Sequence, residues 1–263
     1  QHIAAVVHSS TDIAVLTVFT NTAEVSVYTV YLSIVNGIKN TVQAFTGGID
    51  ASFGDMIVRR EKENLNKSFK TYELFYYTLI TIVYIVTMIM ILPFVSVYTS
   101  GITDINYYRP TFAILIIVAE LFWSIRLPYS SITLAAGHFK ETRKGAWVEA
   151  FLNLSISIIL VFKFGMIGVA IGTLIAMMVR TIEFIYHSSK YILERKVWDA
   201  VGRIILLVLE NLLLVPIGMF ICNRYNVDSY MSWIIMVAIV TITVALIVIA
   251  VNSIIYRKDV NSL

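Results

Sequence analysis

Charge is what this sequence has least of. Asp, Glu, Lys and Arg together make up 14% of its 263 residues, where soluble domains carry about 25%. With 58% apolar residues and a mean hydropathy of +0.80, that scarcity excludes a soluble globular enzyme, a disordered tail and a collagen. The only cysteine, Cys222, cannot close an internal disulfide, and no Cys/His spacing suits a metal. A net charge of +3 is too small to point to nucleic acid. No HExxH, P-loop, GxSxG or glycine-rich nucleotide loop occurs. Neither an enzyme nor a cofactor is therefore expected, and any transport must be secondary or partner-driven. The first residue is Gln1 rather than Met, and no basic region or small-residue cleavage site follows. That opening is expected of a fragment whose N-terminal part is missing rather than of a signal peptide.

Long apolar runs are what the chain does have. Residues 74–103 and 229–256 contain no charge at all. A helix needs about 20 mostly apolar residues to cross a bilayer, and only helices or closed barrels satisfy their backbone there. These runs are far too long for barrel strands. The pattern predicts an all-α integral membrane protein with eight spans, near 2–20, 25–46, 73–99, 111–137, 146–163, 166–187, 200–222 and 230–256. The second is the most polar. Residues 55–70 read as a charged, partly amphipathic helix on the membrane surface, with a solvated linker as the alternative. No soluble domain fits.

Lys and Arg set the expected orientation. Arg59, Arg60, Lys62, Lys67, Lys70, Lys140, Arg143, Lys144, Lys190, Arg195, Lys196, Arg203, Arg257 and Lys258 fall on one side of the alternating spans. Arg109, Lys163 and Arg224 fall on the other. That asymmetry predicts a cytoplasmic C-terminus, with residue 1 on the same side. Tyr98, Tyr107, Tyr108, Tyr225, Tyr230 and Trp233 cluster at the outer ends as an aromatic belt. Pro93, Pro128 and Pro216 fall within spans, where they can kink a helix. Gly168-x-x-x-Gly172 predicts close packing of the sixth span, against the fifth.

Ionisable groups inside spans are costly and usually face a bundle interior or a water-filled cavity. Candidates are Asp12, Lys39, Glu120, Arg126, Glu149, Arg180 and Glu210. Asp12 sits in the polar run His8-Ser9-Ser10-Thr11, where His8 is a weak proton-relay candidate. Lys39 lies among Asn36, Asn40 and Gln43. Both suggest that the first two spans line something wet. Glu120 and Arg126 are about 240° apart around their helix, so each needs a partner on another element or a water-filled cavity. Arg180 and Glu183 are three apart and are expected to pair locally. Glu210 is isolated, and His138 reads as a solvated loop residue. The functional reading is a polar pathway for a charged or sugar-like cargo through Asp12, Lys39, Glu120, Arg126 and Arg180. The alternative is that these charges lock helices together or snorkel to the interface.

Three stretches carry a family resemblance. Between Ile132 and Tyr191, a small-residue helix end precedes a Gly-His/Lys-rich loop, an Ala-x-Asn-Leu helix and Gly-x-x-Gly-x-Ala-x-Gly-Thr. Residues 10–31 pair an Asp-containing helix with a short turn and Val-x-x-Tyr, and 51–69 form a charged linker. Together they resemble the C-terminal half of bacterial polysaccharide flippases, the Wzx-like (O-antigen) branch of the MOP superfamily. The resemblance implies a six-helix transporter lobe over 1–191, the family's helices seven to twelve. It assigns 192–263 to two further transmembrane helices and a cytoplasmic tail. It also implies a missing N-terminal six-helix lobe and a place in the bacterial cytoplasmic membrane. The implied activity moves a polyprenyl-pyrophosphate-linked oligosaccharide between leaflets by alternating access, with membrane lipids and a polysaccharide polymerase as further partners. Lys39 and Arg126 would suit the pyrophosphate or an acidic sugar, and the two extra helices the lipid tail. A drug or metabolite antiporter of the same superfamily would instead use Asp12 or Glu120 as a proton or sodium site. A non-transporting scaffold for polysaccharide assembly has no need of such charges.

Overall fold

The computed structural model describes residues 2–46 and 48–257, with residues 2–10 described by their helix alone. The side chains of His8, Ser9 and Ser10, and all of Lys258, lie outside the described residues. Nine helices and no strand form among the described residues: α1 (His2–Phe19), α2 (Thr22–Ala44), α3 (Ile49–Val58), α4 (Lys62–Tyr98), α5 (Pro110–Ala135), α6 (Arg143–Phe164), α7 (Met166–Tyr191), α8 (Val197–Cys222) and α9 (Tyr230–Ile255). Eight of them lie where the apolar runs predict spans. Six, α4 to α9, are long and apolar enough to cross a membrane, which makes the chain a multi-pass helical membrane protein. α1 and α2 are not among the six. Residues 2–10 of α1 are described by their helix alone, and α2 carries Glu24, Lys39 and a series of amides and hydroxyls.

The stretch 55–70 is not one surface helix. α3 ends at Val58, and Lys62 to Lys70 form the first turns of α4. α4 has 37 residues and spans about 55 Å at 1.5 Å per residue. A bilayer core is about 30 Å thick, so its charged start projects beyond the apolar stretch. Phe53 of α3 packs on Phe69 and Tyr72 of α4, at 5.8 and 5.9 Å between ring centroids.

α5 is the frame of the bundle, in contact with α2, α3, α4 and α7. Hydroxyls from neighbouring helices donate to its carbonyls. Tyr84 reaches Glu120 O at 2.9 Å, Thr181 reaches Phe122 O at 2.8 Å, Tyr77 reaches Ile125 O at 3.1 Å and Ser188 reaches Tyr129 O at 3.0 Å. Such interhelical bonds hold helices where lipid gives no hydrophobic drive between them. α6 and α7 are joined at Gly165, whose φ of 54° with ψ of −133° suits glycine. Close packing follows: a Cβ on Gly168 would lie 2.5 Å from Leu160 O, and one on Gly172 would lie 2.3 Å from Ser157 Oγ. α8 and α9 pack on α4, away from α1 and α6.

Candidate polar pathway

Asp12 is buried, 6% exposed, and three helices converge on it. Tyr28 Oη of α2 donates to Oδ2 at 2.8 Å, Thr173 Oγ1 of α7 reaches Oδ2 at 2.7 Å, and Asn153 Nδ2 of α6 donates to Oδ1 at 3.0 Å. Around them, Ser157 Oγ lies 3.0 Å from Asn153 Oδ1, and Thr173 Oγ1 lies 3.3 Å from Asn153 Oδ1 and 3.2 Å from Val169 O. The one Thr173 hydroxyl proton thus faces three acceptors. This is a buried, oxygen-rich cluster around one carboxylate that accepts three hydrogen bonds. Hard cations take such ligands, and the single negative charge matches a monovalent ion. Among the described residues no group of three His, Cys, Asp or Glu side chains could hold a metal ion.

Lys39 and Glu120 meet across α2 and α5. Nζ lies 3.2 Å from Oε2, and the ammonium sits 4.2 Å from the centre of the Trp123 ring. Lys39 keeps 25% of its side chain exposed. The pair is an ion pair by distance only, since buried Oε2 accepts no aligned hydrogen bond. Arg126 and Arg180 are held differently. Arg126 Nη1 lies 2.6 Å from Glu149 Oε1, and Glu149 Oε2 lies 3.5 Å from Arg180 Nε. Arg180 Nη1 lies 2.6 Å from Glu183 Oε2, as its spacing predicts, and donates to Thr142 O at 2.9 Å. Positive and negative groups alternate along this chain from α5 through α6 to α7. Gly145 lets α6 approach it, because a Cβ there would meet Glu183 Oε2 at 1.6 Å.

Three clusters escape a reading of the sequence. Glu73, fully buried on α4, accepts from Arg195 Nη1 at 3.0 Å and Arg195 Nη2 at 2.8 Å. It pairs with Arg203 Nη1 at 3.2 Å and accepts from Tyr129 Oη. Arg195 and Arg203 count toward the basic loops in the sequence, yet both turn inward. Burial opposes the Arg195 charge, and the Glu73 carboxylate outweighs it, so the guanidinium pKa stands above its ordinary value. His138 is not a solvated loop residue: its Nδ1 lies 3.0 Å from His187 Nε2 of α7. Glu210 is not isolated either, since Asn252 Nδ2 of α9 donates to it at 3.1 Å. No signal within one helix marks pairs 49, 42 or more than 120 residues apart.

Between α8 and α9, with Ile89 of α4 at the back, runs an apolar cleft of about 540 Å³ lined by Leu214, Gly218, Met236 and Val240 among others. Comparison with protein-family models, with curated proteins and with solved structures finds no match.

Proposed function

We propose that the chain is one lobe of a secondary membrane transporter that moves a lipid-linked, anionic oligosaccharide between leaflets, with α1 and α2 completing eight spans and the C-terminus cytoplasmic. The observation that carries the reading is the Lys39–Glu120 pair. Lys39 is the partly exposed cation among charges that are otherwise hydrogen-bonded into fixed frames. Its counter-ion lacks an aligned hydrogen bond, and a tryptophan face supports the ammonium. Such a cation can exchange Glu120 for a phosphate or sugar carboxylate at small cost. Arg126 and Arg180, locked through Glu149 and Glu183, suit a structural role beside the path. The apolar α8–α9 cleft suits a prenyl or acyl tail. The resemblance of residues 10–31, 51–69 and 132–191 to polysaccharide flippases supports the same cargo.

The test is complementation of a strain that lacks its flippase, using the gene with whatever it encodes beyond these 263 residues. Wild type is expected to restore surface polymer, and Lys39→Ala to leave lipid-linked precursor on the inner leaflet at normal protein level. The Asp12 oxygen cluster favours a second reading, a cation-coupled antiporter. Wild type that alters drug or ion tolerance and leaves precursor distribution unchanged would select it.

A further inference from the structure

Two residues other than glycine adopt a left-handed backbone among the described residues: Arg60, with φ of 59°, and Glu194, with φ of 49°. Arg60 ends α3. The amide of Glu61 bonds Met56 O at 2.9 Å and that of Arg60 bonds Ile57 O at 3.1 Å. These are the paired bonds of a Schellman ending, whose left-handed position is usually glycine. Glu194 follows the end of α7, where the amide of Arg195 reaches back to Ser189 O at 2.9 Å. An ion pair between Lys62 and Glu194 ties the two turns together. Strain of this kind persists where the surroundings over-determine it, and it clusters at ligand clamps.

Both turns border one cavity of about 300 Å³. Arg60, Lys62, His138 and Tyr191 supply its polar wall, and Met56 and Ile192 are part of its apolar wall; no acidic residue lines it. Lys62 shares its charge with Glu194, and His138 turns Nδ1 toward His187. Among the described residues no carboxylate lies within ion-pair distance of Arg60. The cavity lies where the first turn of α4 meets the C-terminal ends of α5 and α7, at Ala136 and Tyr191. That is headgroup depth for a membrane protein.

We propose that this cavity binds the phosphate of an anionic membrane lipid. A basic wall receives the phosphate, an apolar wall receives the glycerol and first methylenes, and the position at the interface supplies the ligand from the bilayer. An arginine occupies a position that favours glycine, and it lines the cavity. The inference needs this end of the bundle to lie at the headgroups and does not depend on transport.

The same phosphate chemistry could come from a soluble anion, so two arms are needed. The purified chain is placed in nanodiscs of phosphatidylcholine with one fifth phosphatidylglycerol, and retained lipid is counted by native mass spectrometry. Phosphatidylcholine nanodiscs titrated with inorganic pyrophosphate form the second arm. Wild type is expected to retain phosphatidylglycerol selectively, and any pyrophosphate it takes up to be bound at Lys39, outside this cavity, and so to be unchanged in Arg60→Gly. Arg60→Gly removes the cation and relieves the backbone, so retention should fall at least fivefold while the melting temperature holds or rises. Arg60→Asn, which also tolerates a left-handed backbone, gives the same reading should the glycine variant fold poorly. Lys140→Gln, basic and outside the cavity, should change nothing. Full retention by both Arg60 variants, or an equal loss in Lys140→Gln, would overturn the site in favour of diffuse attraction. Saturable pyrophosphate binding that is lost in Arg60→Gly, without lipid selectivity, would overturn the lipid and leave a soluble anion.

Discussion

Replacing Glu73 by Ala would leave Arg195 and Arg203 buried without the anion they share. Glu73 is fully buried, and the two guanidinium side chains are 13% and 6% exposed. Breaking a buried pair by removing one partner costs about 3–5 kcal/mol, because the remaining charge stays uncompensated. Arg195 is the charge that loses its anion. Arg203 keeps its bond to Lys70 O at 2.8 Å, and Arg195 has some access to water, so the lower end of that range, about 3 kcal/mol, is expected. Removing Arg195 as well takes away that charge. The double variant Glu73→Ala/Arg195→Ala should therefore lie about 1–2 kcal/mol closer to wild type than the sum of the single losses. The assay is reversible unfolding of the purified chain in mixed micelles titrated with denaturing detergent, read for all four members of the cycle. Interhelical hydrogen bonds inside membrane proteins average only about 0.6 kcal/mol. A Glu73→Ala loss below 1 kcal/mol, or strict additivity, would make this cluster an ordinary polar contact and refute the view that it clamps α8 to the lobe.

Two further perturbations read other parts of the bundle. Gly172→Ala would drive a Cβ to 2.3 Å from Ser157 Oγ and 2.9 Å from Ser157 N, so α6 and α7 must part, at about 1–3 kcal/mol; Gly202→Ala, with nothing within 4 Å, should instead gain up to about 1 kcal/mol from helix propensity, and equal effects in the same titration would contradict the close packing. If the Asp12 cluster holds a monovalent cation, the melting temperature of wild type should rise with sodium at constant ionic strength, as binding to the folded state requires, and Asp12→Asn should abolish that rise; a rise that survives Asp12→Asn places the ion elsewhere.

The helices were legible because a bilayer demands long apolar runs, and each such run here is bounded by charge or glycine. The ends of α5 to α9 fall within a few residues of those runs. α4 starts eleven residues early because the charged segment Lys62–Lys70 has good helix formers and no breaker, so the helix continues out of the apolar region. α3 separates from it because the chain turns left-handed at Arg60, a conformation no residue type signals. Among the polar groups, rotation angles sufficed to separate Glu120 from Arg126, each left to a partner elsewhere or to a water-filled cavity, and to pair Arg180 with Glu183. They could not identify Lys39 and Glu149 as those partners, nor bring Asn153 and Thr173 to Asp12, since both meetings depend on helix packing. Counting Arg195 and Arg203 as loop cations misjudged them for the same reason: charge asymmetry reports the side of the membrane, not the direction a side chain takes.

The Asp12 and Lys39 sites share an element, and that has a mechanical consequence for the proposed transporter. α1 and α2 are joined by Thr20 and Asn21, and the Asn21 side chain caps α2 by accepting from the amide of Glu24 at 2.9 Å. Tyr28, three turns before Lys39 on α2, donates directly to Asp12. A cation that draws Asp12, Asn153 and Thr173 together therefore fixes α1 against α6 and α7, and through Tyr28 and the short turn it fixes α2 as well. α5 does not follow, because four carbonyls bind it to α4 and α7. The distance that responds is the one between α2 and α5, which is where Lys39 faces Glu120. In the proposed transporter, an ion at Asp12 would thus bias whether Lys39 stays on its internal carboxylate or is released to an anionic cargo. By linkage, cargo on Lys39 changes cation affinity at Asp12 by the same factor. If the proposal holds, the ion site and the cargo cation would hang on one helix pair, against a third helix tied to its neighbours.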